Sequence, residues 1–256
     1  MRVTVLGCGG SGGVPLATGE WGACDPANPK NRRRRPSILI EDRGLTILVD
    51  TGPDVREQLL DAGCRHIDAI LYTHAHADHV HGLDDVRAFN NVMGRPIDAF
   101  GTEGTLAAIR ERFAYAFEAI EPGHGFYRPQ LSARIITEYE PFRVGHLEVL
   151  PFRQDHGLSL STGFRIGRFA YSTDVVGLDA RAFEALAGIE VWIVDCLRER
   201  PHITHAHLAQ TLEWIERVGA RRAVLTHMNH QTDYDTLAAK LPVGVEPGYD
   251  GLVLEL

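Results

Sequence analysis

A dense run of histidines and an aspartate is the feature that most constrains this chain. Four side chains that can bind a metal occupy six positions in the run His74-Ala75-His76-Ala77-Asp78-His79. The run directly follows an apolar segment, residues 69–72, whose composition predicts a strand. Imidazole and carboxylate groups suit zinc, manganese or iron, and the run lacks the thiolates of closed structural zinc sites. It therefore predicts an open, catalytic metal centre beyond a strand.

Other acids and histidines stand just past predicted strands. Short apolar segments predict strands at residues 3–6, 37–40, 46–49, 69–72, 146–152, 164–166, 169–172, 191–194, 223–226 and 252–254. Helical spacing appears at residues 55–62, 105–113 and 181–186 and after Thr204. Five of the strands lead into Asp50, His74, Asp174, Asp195 and His227. Because a rigid scaffold holds such loop residues, they can build one site wherever the strand ends converge. The mixture predicts an α/β sandwich.

Five segments, taken in order, resemble the motifs of the metallo-β-lactamase superfamily. They are Val49-Asp50-Thr51-Gly52, the histidine run, Asp155-His156-Gly157, Ser172-Thr173-Asp174 and Leu225-Thr226-His227. The resemblance implies an αββα sandwich with two divalent metal ions, zinc or manganese, at one edge of the two sheets. The length and the lack of internal repeats predict one domain over residues 1–256, and the resemblance implies that it is a hydrolase domain.

The resemblance also implies a role for each site residue. The implied metal ligands are His74, His76 and His156 for the first ion, Asp78, His79 and His227 for the second, and Asp174 as the bridge between them. Asp50 would orient a ligand histidine. Two divalent ions outweigh the two carboxylates and a bridging hydroxide, so the centre can generate hydroxide near neutral pH and stabilise developing negative charge. Hydrolysis is the expected chemistry.

The segment Thr204-His205-Ala206-His207-Leu208 resembles the part of the family that supplies a general acid. His205 is the matching residue, and we expect it in the first turn of a helix. There it would protonate the leaving oxygen while a metal-bridging hydroxide attacks phosphorus in line. Capping of that helix is the alternative role for His205. We count His205 and Asp78 as the catalytic residues.

The N-terminal loop indicates a branch within the superfamily. Residues 7–13 match a dinucleotide-binding glycine pattern, but Val14-Pro15 stands where a helix should begin and no acidic residue closes the unit. Together with Pro15, Cys24 and residues 32–37, the loop resembles instead the branch containing phosphoribosyl cyclic phosphodiesterase and, more distantly, ribonuclease Z. That branch binds an accessory structural zinc ion, but only Cys24 and His230 occupy positions comparable to its ligands, so we expect no accessory zinc site in this chain.

The charge distribution favours a small substrate. The chain has 26 Lys and Arg against 34 Asp and Glu, and this net charge of −8 disfavours long nucleic acids. Residues 115–140, a candidate substrate arm, carry Glu118, Glu121, Glu138 and Glu140 against Arg128 and Arg134. The basic run 32–35 is expected to be a solvated turn, with substrate phosphate contact as the alternative.

We therefore expect a phosphodiesterase that acts on a small cyclic phosphate or nucleotide-like ester. The sequence leaves open a ribonuclease Z-like endonuclease for transfer-RNA 3′ ends, a lactone or thioester hydrolase, and a carrier without turnover. No apolar run approaches the roughly 18 residues that span a bilayer, and the N-terminus has no secretory pattern. The expectation is a cytoplasmic protein without membrane contact, as a monomer or a homodimer.

Overall fold

Two seven-stranded sheets form the centre of the fold in the computed structural model, which describes residues 1–120, 123 and 125–256. Glu121, counted above in the acidic segment, lies outside the described residues. The first sheet is composed of β1 (Arg2–Gly7), β2 (Ser37–Asp42), β3 (Leu45–Val49), β4 (Ala69–Leu71), β5 (Ile97–Gly101), β6 (Leu131–Ile135) and β14 (Val253–Glu255). The second is composed of β7 (Phe142–Val144), β8 (Leu147–Asp155), β9 (Leu160–Ile166), β10 (Phe169–Ser172), β11 (Val191–Asp195), β12 (Arg222–Thr226) and β13 (Val245–Pro247).

Seven α-helices in the described residues accompany the sheets. They are α1 (Val55–Asp61), α2 (Ala77–Val80), α3 (Arg87–Met93), α4 (Glu103–Arg112), α5 (Ala180–Leu186), α6 (Leu208–Val218) and α7 (Tyr234–Ala238). None of the helices found in the described residues is long and apolar enough to cross a bilayer.

Side chains that alternate between the two faces of each strand produce the layers of the fold. In β2, Ile38 and Ile40 join the apolar cluster that includes both sheets, whereas Leu39 joins the cluster on the other face. That second cluster contains residues of α1 and α4, including Leu59 and Leu106. Successive strand residues point to opposite faces, so each sheet can pack on its partner and on helices at once. The result is the αββα sandwich that the family resemblance implied.

The strand directions bring several strand ends to the same edge. β3 pairs in parallel with β4, and β10, β11 and β12 pair in parallel with one another. The carboxyl ends of parallel neighbours lie on one side of a sheet, which is where open α/β sheets bind ligands. β2 and β3 pair antiparallel and are joined by a hairpin turn, with φ of 47° at Arg43 and 83° at Gly44.

The helix predicted after Thr204 begins later than expected. α6 starts at Leu208 with His207 as its N-cap residue, and the N-cap side chain makes no capping hydrogen bond. The preceding segment is extended because the backbone N–H of Leu197 donates to the carbonyl of Ala206 and that of Ala206 donates to Val175. The prediction that His205 lies in the first helical turn was therefore wrong: tertiary pairing with the chain beyond β11 outweighs the local capping signal.

Candidate metal centre

Three candidate site residues leave their strands in the left-handed backbone conformation. Asp50 and His227 directly follow β3 and β12, Asp174 follows β10 after Thr173, and their φ angles are 64°, 58° and 54°. The left-handed region is unfavourable for residues other than glycine, and such strain concentrates at functional sites. In the described part of the chain only Arg43 and Tyr139 share it outside glycine. The chain thus turns sharply at three neighbouring strand ends.

The histidine run follows β4 of the first sheet and lies against these strand ends. His74 lies buried beyond β4, His76 is the exposed N-cap residue of α2, and Asp78 and His79 are buried on that helix. A Cβ atom on Gly52 would lie 2.3 Å from the carbonyl oxygen of Asp78, so only glycine permits this approach of α2 to the end of β3.

The predicted ligands form two groups that share one carboxylate. Within each group the candidate ligand atoms lie within 4.8 Å of one another; the groups are His74, His76, His156 and Asp174, and Asp78, His79, His227 and Asp174. Oδ2 of Asp174 lies 3.7 Å from Nε2 of His74 and 3.5 Å from Nε2 of His156. Oδ1 lies 3.1 Å from Nε2 of His79 and 3.3 Å from Nε2 of His227. Each oxygen of Asp174 therefore faces a different histidine group.

The donor set fits divalent metal ions. Nε2 of His74, Nε2 of His79 and both ring nitrogens of His227 are buried without a hydrogen-bond partner in the described structure. Leaving a buried polar atom unpaired costs about 1–3 kcal/mol, so four such nitrogens in one place indicate that something else satisfies them. Imidazole nitrogen and carboxylate oxygen together are the ligands of open zinc, manganese and iron sites.

Hydrogen bonds orient the histidines from outside the two groups. Nδ1 of His79 lies 2.7 Å from Oδ2 of Asp50, whose carboxylate also accepts hydrogen bonds from the backbone and hydroxyl of Thr73 at 2.9 and 2.8 Å. Nδ1 of His156 lies 2.7 Å from the carbonyl oxygen of Thr204. Because Nδ1 donates in each case, Nε2 is left to act as a ligand.

Burial and neighbouring charges shift the pKa values of the ionisable groups in the site. Burial opposes ionisation of Asp174, but the surrounding histidines His227, His79 and His74 hold its pKa well below the usual range. Burial also opposes protonation of His79, yet the carboxylates of Asp174, Asp50 and Asp78 raise its pKa well above the usual value. At His74 burial dominates and lowers the pKa. The carboxylate of Asp174 is thus held ionised, as a metal ligand must be.

His205 lies beside the second histidine group and is held by a carboxylate. Its ring stacks on that of His227, with centroids 4.4 Å apart and planes 16° apart. Nδ1 of His205 lies 3.0 Å from Oδ2 of Asp195, which is fully buried and also accepts from the backbone N–H of Val175 at 3.0 Å. The sequence places Asp195 just past a predicted strand, but no role was predicted for it. The signal that could have identified it is this position at a strand end, which it shares with Asp50 and Asp174.

The basic run of the N-terminal loop is mostly paired within the protein. Arg33 is 1% exposed, and its guanidinium donates to the carbonyl of Thr232 at 2.7 Å. Arg34 and Arg35 form ion pairs with carboxylates, and Arg32 is exposed. The expected solvated turn is therefore wrong for three of the four arginines, because their side chains bind backbone and acids from distant parts of the chain.

The thiol of Cys24 lies near carbonyl oxygens of the C-terminal loop rather than near other metal-binding side chains. Sγ is 3.5 Å from the carbonyl oxygen of His230 and 3.4 Å from that of Thr232. Burial raises the pKa of this thiol. In the described residues Cys24 and His230 belong to no group of candidate metal ligands.

Comparison with known proteins gives matches along the whole chain. The model of the beta-lactamase superfamily domain matches residues 46–228. An octanoyltransferase of Porphyromonas gingivalis is 35% identical over 98% of this chain and 51% of its own length. A ribonuclease Z of Clostridium acetobutylicum is 28% identical over 66% of this chain and 50% of its own length. The chain thus spans about half the length of these curated relatives.

A crystal structure of a diphosphatase from the PhnP family superposes on the complete chain. The TM-score is 0.91 at 33% sequence identity, and the match covers 100% of this chain and 97% of that one. The two proteins therefore share the sandwich, including the strands that carry the candidate metal centre.

Proposed function

The chain belongs to the beta-lactamase superfamily, and from that premise we propose that it is a dinuclear metal-dependent phosphodiesterase acting on small phosphate esters. The observation that carries the proposal is the position of Asp174, whose two oxygens face two different groups of histidines. A carboxylate placed in this way is suited to bridge two divalent ions, zinc or manganese.

Two sets of residues would hold the ions, and Asp50 would keep His79 in the ligating orientation. The sets are His74, His76 and His156, and Asp78, His79 and His227, with Asp174 shared. When bound, two such ions supply Lewis acidity and lower the pKa of water towards neutrality.

Proton transfer to the leaving group is assigned to His205. Because Asp195 accepts from Nδ1, Nε2 is the nitrogen available to a substrate. Asp195 thereby holds the ring so that a proton on Nε2 can pass to the departing oxygen. The ring of His205 stacks on that of His227, so this proton donor lies directly against the second histidine group.

A small substrate fits the charge of the surroundings better than a long nucleic acid does. The PhnP-family neighbour is a diphosphatase, which supports attack at phosphorus. A transfer-RNA endonuclease needs a basic surface that tracks phosphates. The segment 115–140 is acidic on balance, and Arg128 donates to the carbonyl oxygens of Glu118 and Ala119. Ribonuclease Z activity is therefore the less supported alternative.

Acyl thioester hydrolysis is the second candidate function. It is favoured by the octanoyltransferase of Porphyromonas gingivalis, which is 35% identical over 98% of this chain. The match covers 51% of that protein, so the remaining half of its length has no counterpart here. A metal centre that polarises a phosphoryl oxygen can also polarise an acyl carbonyl.

Metal analysis followed by parallel assays separates these functions. Protein loaded with zinc or manganese is supplied with bis(p-nitrophenyl) phosphate, a lactone, octanoyl-coenzyme A and a precursor transfer RNA. We expect two ions per chain and turnover of the diester, abolished by chelation. Hydrolysis of the lactone or the thioester with no attack on the diester would overturn the proposal.

A further inference from the structure

One short segment contacts a predicted metal ligand and leads directly into the proposed proton donor. The carbonyl oxygen of Thr204 accepts a hydrogen bond at 2.7 Å from Nδ1 of His156, a member of the first histidine group. The next residue in the chain is His205, whose ring stacks on that of His227 in the second group. The position of Thr204 therefore affects the orientation of one ligand and the place of the proton donor at once.

Little apolar packing holds the segment that leads into Thr204. Ile203 is 75% exposed, so burial of its side chain contributes little. A Cβ atom on Gly157 would lie 2.4 Å from the carbonyl oxygen of Ile203, so the loop after His156 lies directly against this segment. A displacement of residues 202–204 would therefore be passed on to His156.

The side chain that contacts this segment is the imidazole of His202, to which the mechanism above gives no role. Its Nδ1 accepts a hydrogen bond from the backbone N–H of Thr204 at 3.3 Å and lies 3.1 Å from the hydroxyl oxygen of the same residue. Because a backbone N–H can only donate, Nδ1 of His202 carries the lone pair and the ring proton is on Nε2. Hydrogen bonds from a side chain to the backbone two residues further along stabilise local turns in this way.

We propose that His202 is a positioning residue, which holds Thr204 so that its carbonyl orients His156 and the following His205 is presented to the leaving group. The proposal rests on the metal centre and the proton donor proposed above. His202 acts through Thr204 rather than by contact with substrate. Its loss should therefore affect both metal binding and protonation of the leaving group.

Amide hydrogen exchange in the metal-free chain tests the contact directly. His202→Ala removes the acceptor of the Thr204 amide, so this amide should exchange about tenfold faster, the factor that corresponds to one hydrogen bond. His202→Asn should keep the slow exchange, because Oδ1 of asparagine accepts from the N–H two residues further along the chain. This readout depends on neither metal nor turnover.

Metal binding and turnover of the full chain test the consequences. In titrations with zinc against a chelator, His202→Ala should bind one of the two ions about tenfold more weakly, as expected when a metal ligand loses its orienting partner. At saturating zinc, kcat should fall about tenfold on a diester with an alkoxide leaving group, which is part of the contribution of a general acid. The rate with p-nitrophenolate should change little, and His202→Asn should restore all three quantities.

His207→Ala is the matched control. His207 follows the same segment, and its side chain makes no capping hydrogen bond, so this variant should behave as the wild type in every measurement. Unchanged exchange of the Thr204 amide in His202→Ala would overturn the assignment. A His202→Asn variant as impaired as His202→Ala would also overturn it, because the turn alone would then not account for the effect.

These readouts separate the positioning role from the proposed function. If His202→Ala alters amide exchange and metal binding while the wild type hydrolyses no diester, the positioning role stands and the phosphodiesterase proposal fails. If the wild type hydrolyses diesters and His202→Ala matches it on both leaving groups with unchanged metal binding, the positioning role alone is refuted.

Discussion

Replacement of His205 or Asp195 should slow turnover only where the leaving group needs a proton. General acid catalysis contributes about 10²–10⁴ in rate, so His205→Ala should lose about that factor on a diester with an alkoxide leaving group. With p-nitrophenolate, which departs without protonation, the loss should be small. Single-turnover rates for both substrate types at matched metal content measure the contrast.

Asp195→Asn should have a smaller effect of the same kind. The carboxylate is fully buried, 3.0 Å from Nδ1 of His205, and asparagine keeps its shape but removes its charge. A charge-assisted hydrogen bond contributes about 1.5–3 kcal/mol, which corresponds to about 10–10²-fold in rate. In the His205→Ala background, Asp195→Asn should cause no further loss of rate, because Asp195 acts through His205.

His207→Ala is the control for these variants, since His207 caps α6 without a side-chain hydrogen bond and should leave the rates unchanged. Two results would refute the reasoning. One is equal loss on both leaving groups. The other is loss of a metal ion from His205→Ala, because His205 also lies within ligand distance of Asp174 and His227 and would then be a ligand itself.

Three further predictions follow from single contacts. Asp174→Asn should weaken metal binding in both groups by at least about tenfold, as measured by metal content after dialysis. Gly52→Ala should lower the free energy of unfolding by about 1–3 kcal/mol, since the new Cβ would lie 2.3 Å from the Asp78 carbonyl oxygen; urea denaturation measures this. Burial opposes ionisation of Asp233, but hydrogen bonds from Thr236 and Asn31 lower its pKa to about 2 from 3.8. Its stabilisation is therefore present above pH 3.8 and lost as the pH falls through 2. Asp233→Asn should cost under about 1 kcal/mol at pH 7, and progressively less as the pH falls below 3.8, in the same denaturation experiment.

Local sequence was sufficient for the regular strands. Alternating or continuous apolar segments predicted strands that the structure places with small shifts of their ends, as in Phe169–Ser172 and Val191–Asp195. The more polar β5 and the short β7 and β13 carried too little apolar signal to be predicted. Short strands of this kind are stabilised by their neighbours in the sheet rather than by their own composition.

Site residues that lie within one segment could be predicted from the sequence, whereas contacts between distant segments could not. The histidine run and the aspartates at strand ends could be predicted as ligands, although the role of each came from the family resemblance. Asp195 received no role because its partner His205 becomes its neighbour only when the loop before α6 pairs with the chain after β11. The sequence also could not predict that Arg112 donates a hydrogen bond to the carbonyl of Ala75, because this contact depends on how α4 packs.

The sequence by itself determined which residues could form a metal centre, because ligand type and strand periodicity are properties of short segments, and the resemblance of its ordered motifs implied the sandwich that carries them. Only the tertiary structure decided that the two oxygens of Asp174 face separate histidine groups, that Asp195 holds His205, and that Arg33 is buried away from substrate. These depend on the packing of two sheets, which brings His74 and Asp174, 100 residues apart in sequence, to within 3.7 Å of each other. No local pattern encodes such distances.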